Sequence, residues 1–264
     1  MTTRPTAVAG TFYPADPAEL AATVDTMLAA APATEPATEP LDAAAYVVPH
    51  AGYRWSGPTA ARVYRELRDH TGPFERAVVL GPAHRVALRG AAVPTDTAWA
   101  SPLGPIDIDL EGARLLVDRG LAVAADEPHA PEHSIEVQVP FLLRVHLPKM
   151  LPVLVGPGDP AATAALLSAV AGPGTVVICS TDLSHYLSED EAHRRDAATA
   201  AAIGDLAPER IGDGDACGRH ALRGLLTWAR QQALRVDRLA LATSADTGGP
   251  KDSVVGYPAF RLSE

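Results

Sequence analysis

The segment Val176-Val177-Ile178-Cys179-Ser180-Thr181-Asp182 sets the class of fold, because an uninterrupted apolar run of this length predicts a strand buried on both faces of a sheet. Three further segments are also apolar runs, and each of the four runs ends beside a side chain that can hold a metal or move a proton. The residues after the four runs are His50, His84, Asp182 with His185, and Asp246. In open α/β sheets, ligands bind beyond the carboxyl ends of the parallel strands. The four strand ends therefore predict one shared site at one edge of the sheet.

Strand and helix signals alternate along the chain, which predicts an α/β fold. Asp16-Pro17 predicts the start of a helix that runs to about Ala30, and Pro58 predicts another helix start. Further helices are expected near 109–119, 134–146, 160–171, 190–203 and 216–232, and strands near 90–94, 151–155, 174–180, 236–243 and 253–260. We expect a single-domain α/β/α sandwich over residues 1–264, with a mixed, largely parallel central sheet. The tandem Ala-Thr-Glu-Pro repeat at 33–40 predicts a surface loop over 31–42.

Composition narrows the classes of function. The 264 residues carry a formal net charge of −10, which argues against a nucleic-acid or anionic-membrane partner. Two cysteines cannot supply a disulfide framework for a chain of this length. No leader sequence and no apolar stretch of about 18 residues stands out, so a cytoplasmic location is expected.

His50, His84 and Asp246 are candidate metal ligands. Each follows a predicted buried strand, and two imidazoles with one carboxylate form the facial ligand set that is usual for non-heme Fe(II) oxygenases. The alternative is local turn chemistry, in which either histidine bonds its own loop and Asp246 stabilises the glycine-rich turn that follows it.

Asp182, His185 and His133 are candidate catalytic residues. His185 is predicted to transfer a proton, because an imidazole titrates near neutral pH, and Asp182 to orient a histidine ring. Asp182 could instead cap a short helical turn. His133 could line the pocket as a hydrogen-bond donor, or join Glu136 in a helix cap with an exposed ion pair. The two cysteines, at 179 and 217, are interpreted as packing residues.

Several motifs, in order along nearly the whole chain, resemble those of the Memo family, whose prokaryotic members are called AmmeMemoRadiSam system protein B. The matching segments are Pro49–Tyr53, Leu80–His84, Glu132–Glu136, Pro152–Gly156, Ser180–His185 and Cys217–His220. That family is similar in fold to the class III extradiol (LigB-type) dioxygenases, which use non-heme Fe(II). The resemblance implies His50 and His84 as ligands and His185 as the acid/base histidine. It makes Asp246 the candidate third ligand, at a position where some members have cysteine.

The resemblance and the residues together favour a non-heme Fe(II)-dependent oxidoreductase, similar to a dioxygenase, that acts on an electron-rich small molecule and O₂. Other divalent metals (Zn, Cu or Mn) would suit the same ligands. One alternative is a non-catalytic metal-binding partner of AMMECR1-like and radical SAM proteins, as the family name implies. Another is a zinc or manganese hydrolase that uses a metal-bound water.

Overall fold

A computed structural model describes residues 2–32, 43–69 and 74–264. The Ala-Thr-Glu-Pro repeat lies outside these residues, and so does most of the surface loop expected over 31–42.

The order of elements follows the predicted alternation. The helices are α1 (Pro17–Ala30), α2 (Tyr53–Asp69), α3 (Leu110–Asp118), α4 (Val139–Arg144), α5 (Pro160–Val170), α6 (Glu189–Gly204) and α7 (Arg219–Gln231). The strands are β1 (Thr3–Arg4), β2 (Ala43–Val48), β3 (Arg76–Gly81), β4 (Ala91–Val93), β5 (Ala98–Trp99), β6 (Ile106–Ile108), β7 (Val123–Ala124), β8 (Lys149–Val155), β9 (Thr175–Ser180), β10 (His185–Leu187), β11 (Arg235–Thr243) and β12 (Val254–Ser263). Short 3₁₀ turns cover Glu136–Gln138, Pro208–Arg210 and Ser244–Thr247.

One mixed sheet contains the described strands, and its centre is parallel. The order β8-β3-β9-β2 is parallel throughout, β12 is antiparallel to β2, and β11 is antiparallel to β12. Because two antiparallel steps restore the direction, β11 runs the same way as β2. The carboxyl ends of β2, β3, β9 and β11 therefore meet at one edge, as the sequence predicts.

Helices cover both faces of this sheet, so the fold is an α/β/α sandwich. Helices α1, α2 and α4 pack on one face, and α3, α5, α6 and α7 pack on the other. Along β2, Ala45 and Val47 enter one core while Tyr46 and Val48 enter the other. Each fully buried side chain of valine size or larger contributes about 1.5–3 kcal/mol, which explains why the central strands are apolar without alternation. None of the helices in the three described ranges is long and apolar enough to cross a bilayer.

Two helix boundaries differ from expectation, and proline is involved in both. Helix α2 begins at Tyr53 rather than at Pro58, which lies inside it. The residue before Pro58 is Gly57, whose missing Cβ removes much of the clash that normally excludes helix before proline. The helix expected over 134–146 is a 3₁₀ turn followed by α4, because Pro140 cannot donate the bond that would join the two.

Candidate functional site

His50 follows the end of β2, and its ring is held in one tautomer by its neighbours. The Ser180 hydroxyl donates its single proton to the Ser134 carbonyl at 2.6 Å and lies 3.0 Å from Nδ1 of His50. That hydroxyl must therefore accept from Nδ1–H, which leaves a lone pair on Nε2. Burial, with the nearby His84 ring, holds the pKa of His50 well below its usual value. The neutral ring is the form that binds a metal.

His84 follows β3 and is oriented by Glu132, a buried residue that sequence reasoning missed as a functional group. Nδ1 of His84 lies 2.9 Å from one carboxylate oxygen of Glu132, and the His84 backbone N–H donates to the other. The backbone N–H groups of His133 and Ser134 also donate to Glu132, at 2.9 Å each. Burial alone would raise the pKa of Glu132. The hydrogen bond and charge of His84, together with the backbone donors, outweigh burial and lower this pKa to about 2. An ionised acceptor on Nδ1–H leaves Nε2 of His84 free, as supporting carboxylates do for metal-binding histidines.

Cys217, just before α7, is the third residue at this point. Its Sγ lies 3.2 Å from Nε2 of His50, and the ligand atoms of His50, His84 and Cys217 all lie within 4.8 Å of one another. Bonds of 2.0–2.3 Å in a four-coordinate metal site place ligand atoms roughly 3.3–3.8 Å apart, so small side-chain rotations suffice. Burial raises the pKa of the Cys217 thiol to about 12, and metal binding would favour the thiolate. The residues present fit a divalent metal, so Cys217 is a candidate ligand, a role that the packing interpretation from the sequence did not give it.

Asp246 does not join this group in the structure. Its side chain is exposed, and its Oδ2 accepts from the Thr243 backbone N–H at 2.7 Å in a capping box at the start of the 3₁₀ turn. This is the local turn chemistry that is the alternative prediction for Asp246 from its glycine-rich loop. The expected convergence of Asp246 with the histidines is thus corrected. A ligand role would require this cap to open, and it stays a prediction.

Asp182 and His185 follow β9, but Asp182 contacts the backbone of a site histidine and not, as the sequence predicts, a histidine ring. Oδ1 of Asp182 accepts from the backbone N–H of His50 at 2.7 Å, and burial raises the pKa of this carboxyl to about 7. The ring of His185 lies against the Leu183 carbonyl, with Nδ1 at 2.8 Å. Asp182 therefore holds the backbone of a candidate ligand, and Leu183 orients the His185 ring. A carbonyl can only accept, so Nε2 of His185 carries the free lone pair.

His133 lies between two other rings. It stacks on His84, with 4.7 Å between the ring centroids, and the tilted ring of Phe12 lies at the same centroid distance. Burial lowers the pKa of His133 to about 4. Glu136 forms no exposed pair with it, which corrects that alternative: the carboxylate is buried, pairs with Arg4 at 2.7 Å and accepts from the N-terminal arm that carries Phe12.

A cavity of about 420 Å³ opens beside these residues. His133, Asp182 and His185 line it together with four aromatic residues, in a chain that is only 5% aromatic. The four are Phe12, Trp55, Tyr186 and Tyr257. The geometry provides a group of side chains that could hold a metal, a neutral imidazole and a cavity with apolar walls that fits a small molecule.

Tyr186 stands at this cavity with a left-handed backbone, and replacing it with glycine should raise stability. Its φ is 59°, and its side chain is 77% exposed, so little packing is lost. Relief of left-handed strain is worth about 1 kcal/mol. For a chain of this size we expect Tyr186→Gly to raise Tm by roughly 2–4 °C in calorimetry.

Ala233→Gly is the matched control, because Ala233 has a φ of 55° at the exposed end of α7. Ala233→Gly should raise Tm by a similar amount and leave ligand binding at the cavity unchanged. Tyr186→Gly should weaken ligand binding at the cavity. A lower Tm for Tyr186→Gly alone would show that this conformation carries no strain.

Known proteins resemble this chain in sequence and in fold. A family model described as "Memo-like protein" matches residues 4–261. A MEMO1 family protein of Methanopyrus kandleri is 36% identical and covers 97% of this chain and 98% of its own length. Another, of Desulfurococcus amylolyticus, is 32% identical and covers 97% of each chain. The crystal structure of uncharacterized protein JW3007 from Escherichia coli K12 has a TM-score of 0.51 and 16% identity, over 82% of this chain and 98% of that one, and shows similarity of fold alone.

Proposed function

The chain belongs to the Memo family, and we propose that it is a metal-dependent oxidoreductase whose metal is held by His50, His84 and Cys217. The observation that carries the proposal is the convergence of these three side chains beside a cavity that also contains His185. Fe(II) is the first candidate, and a bound iron would supply Lewis acidity and one-electron chemistry toward O₂. The substrate class is an electron-rich small molecule.

The proposed proton-transfer group is Nε2 of His185. The Leu183 carbonyl fixes the tautomer in which this nitrogen is basic, and burial lowers the pKa of His185 below its usual 6.5. The ring is therefore neutral at pH 7 and can accept a proton from a substrate hydroxyl in the cavity.

His133 is proposed to contact the substrate. Its ring stacks on His84 and contacts Phe12, and these contacts restrict its rotation at the cavity that it lines. A fixed hydrogen-bonding ring suits stabilisation of a developing oxyanion.

Cys217 favours a second candidate function, a zinc hydrolase. A thiolate with two imidazoles suits zinc as well as iron, and a catalytic zinc site commonly has three protein ligands and one open position. The proton-transfer role of His185 would be the same, with water in place of the substrate hydroxyl.

Metal analysis of protein purified without oxygen, followed by oxygen-electrode assays on phenols and catechols, tests the proposal. Iron with O₂ uptake supports it. Zinc with ester or amide hydrolysis would favour the second function. Tight metal without turnover on either panel would favour the non-catalytic metal-binding alternative.

Glu132→Gln should weaken metal binding by about 10–100-fold, because the neutral amide no longer fixes the His84 ring as an ionised carboxylate does. Competition with a chelator measures this loss. Glu66→Gln is the control, since Glu66 is an equally buried acid that pairs with Arg261 away from the site. Equal affinities in the two variants would show that Glu132 does not position the ligand.

A further inference from the structure

A second cavity, of about 450 Å³, reaches the same group of residues. It shares His185 with the first cavity and includes Cys217. Its remaining charged or titratable lining residues in the described part of the chain are Arg195, Arg219 and His220. Cationic walls are notable in a protein whose formal net charge is −10.

Arg195 is held rigidly in the wall. Its Nε donates to Asp215 at 2.8 Å, and one terminal nitrogen donates to the Asp213 carbonyl at 2.6 Å. These two bonds fix the plane of the guanidinium, and neither of them uses its second terminal nitrogen. Arg195 therefore offers a fixed but partly neutralised charge.

Arg219 is held less firmly. It forms an ion pair with the Asp213 carboxylate, whose side chain is 93% exposed. An exposed pair of this kind contributes little, because water screens it and long side chains lose freedom. An anion that enters the cavity can take the place of this carboxylate on Arg219.

The ring of His220 lies beside arginine side chains. Arg219 donates through Nε to His220 Nε2 at 3.3 Å, so this nitrogen is unprotonated. Burial lowers the pKa of His220, and the charges of Arg219 and Arg223 lower it further. The charges that act on this ring are thus positive, and Asp213 is the carboxylate that pairs with the nearer of them, Arg219.

We propose that the second cavity binds an anionic group, a carboxylate or a phosphate, with Arg219 as its main contact and Asp213 as an internal competitor. A guanidinium suits either group because it can donate two parallel hydrogen bonds to it. If the metal site is as proposed, the substrate carries this anionic group near Cys217. Only that last step rests on the proposed function.

Titrations of the full-length protein with inorganic phosphate and, separately, with acetate test the site. Ionic strength is kept constant with chloride, and binding is followed by NMR through arginine Nε–H and backbone resonances. Asp213→Asn should tighten binding about twofold to fivefold, because it removes the competing carboxylate. Arg219→Gln should weaken binding at least about tenfold.

Asp205→Asn is the matched control, since Asp205 is an exposed acid paired with Arg210 elsewhere. It should leave both titrations unchanged. A preference for phosphate or for acetate identifies the anion class. Arg219→Gln with wild-type affinity, or Asp213→Asn indistinguishable from Asp205→Asn, would overturn the proposal. Metal content, measured on every sample, separates this result from failure of the metal site.

Discussion

Replacing Cys217 with serine is expected to remove most of the bound metal. A serine hydroxyl is a poor ligand for the metals considered, and the loss should exceed the about 10–100-fold cost of removing a supporting residue. His84→Ala should lose metal as completely. Elemental analysis of anaerobically purified protein measures both losses, and a thiolate-to-metal charge-transfer band in the cobalt-substituted wild-type protein would identify a cysteine ligand.

Cys179→Ser is a suitable control, because Cys179 is fully buried in the core and belongs to no group that could hold a metal among the described residues. It should lower stability and leave metal content intact. Full metal occupancy in Cys217→Ser would remove the thiolate from the ligand set.

The metal content of Asp246→Ala, compared with that of Cys217→Ser, distinguishes the two candidates for the third ligand. The structure shows Asp246 as a cap, so the variant should keep its metal and lose about 1 kcal/mol of stability, as is usual when a cap is removed. Loss of metal on Asp246→Ala with retention on Cys217→Ser would restore the carboxylate ligand that the sequence predicts.

The fold was predictable because its signals are local and agree with one another. The apolar runs of β2, β3 and β9 need burial on both faces, and the two helical layers that enclose the sheet provide it. Strand direction then brings His50 and His84 to one edge. Their rings lie 5.2 Å apart, although the residues are 34 positions apart in the chain.

The details of the site were less predictable, because they depend on how loops pack against each other. Cys217 lies just before α7 and not at a strand end, so the strand-end pattern that identifies His50 does not identify Cys217. Glu132 accepts from backbone N–H groups, which every residue has and no motif marks. Asp246 satisfies the strand-end pattern and yet serves its own turn.

His185→Gln should keep the metal and lower turnover by about a hundredfold or more, the usual scale for loss of a general acid/base. Glutamine can still reach the Leu183 carbonyl with its amide, but it has no basic nitrogen to present to the cavity. In the wild type, activity that needs neutral His185 should fall as pH drops through its pKa. Because burial lowers that pKa, this acid limb should lie below pH 6.5. The variant should lack the limb, and initial rates across pH on iron-loaded protein measure it.

His193→Gln is the control, since His193 is an exposed residue of α6 that lines neither cavity. It should leave both metal content and the pH profile unchanged. The opposite pattern for His185→Gln, with metal lost as in His84→Ala, would place His185 among the ligands. Unchanged turnover with metal intact would instead assign proton transfer to another group that lines the cavity. Asp182 would be the first such group to test, because its pKa is raised to about 7.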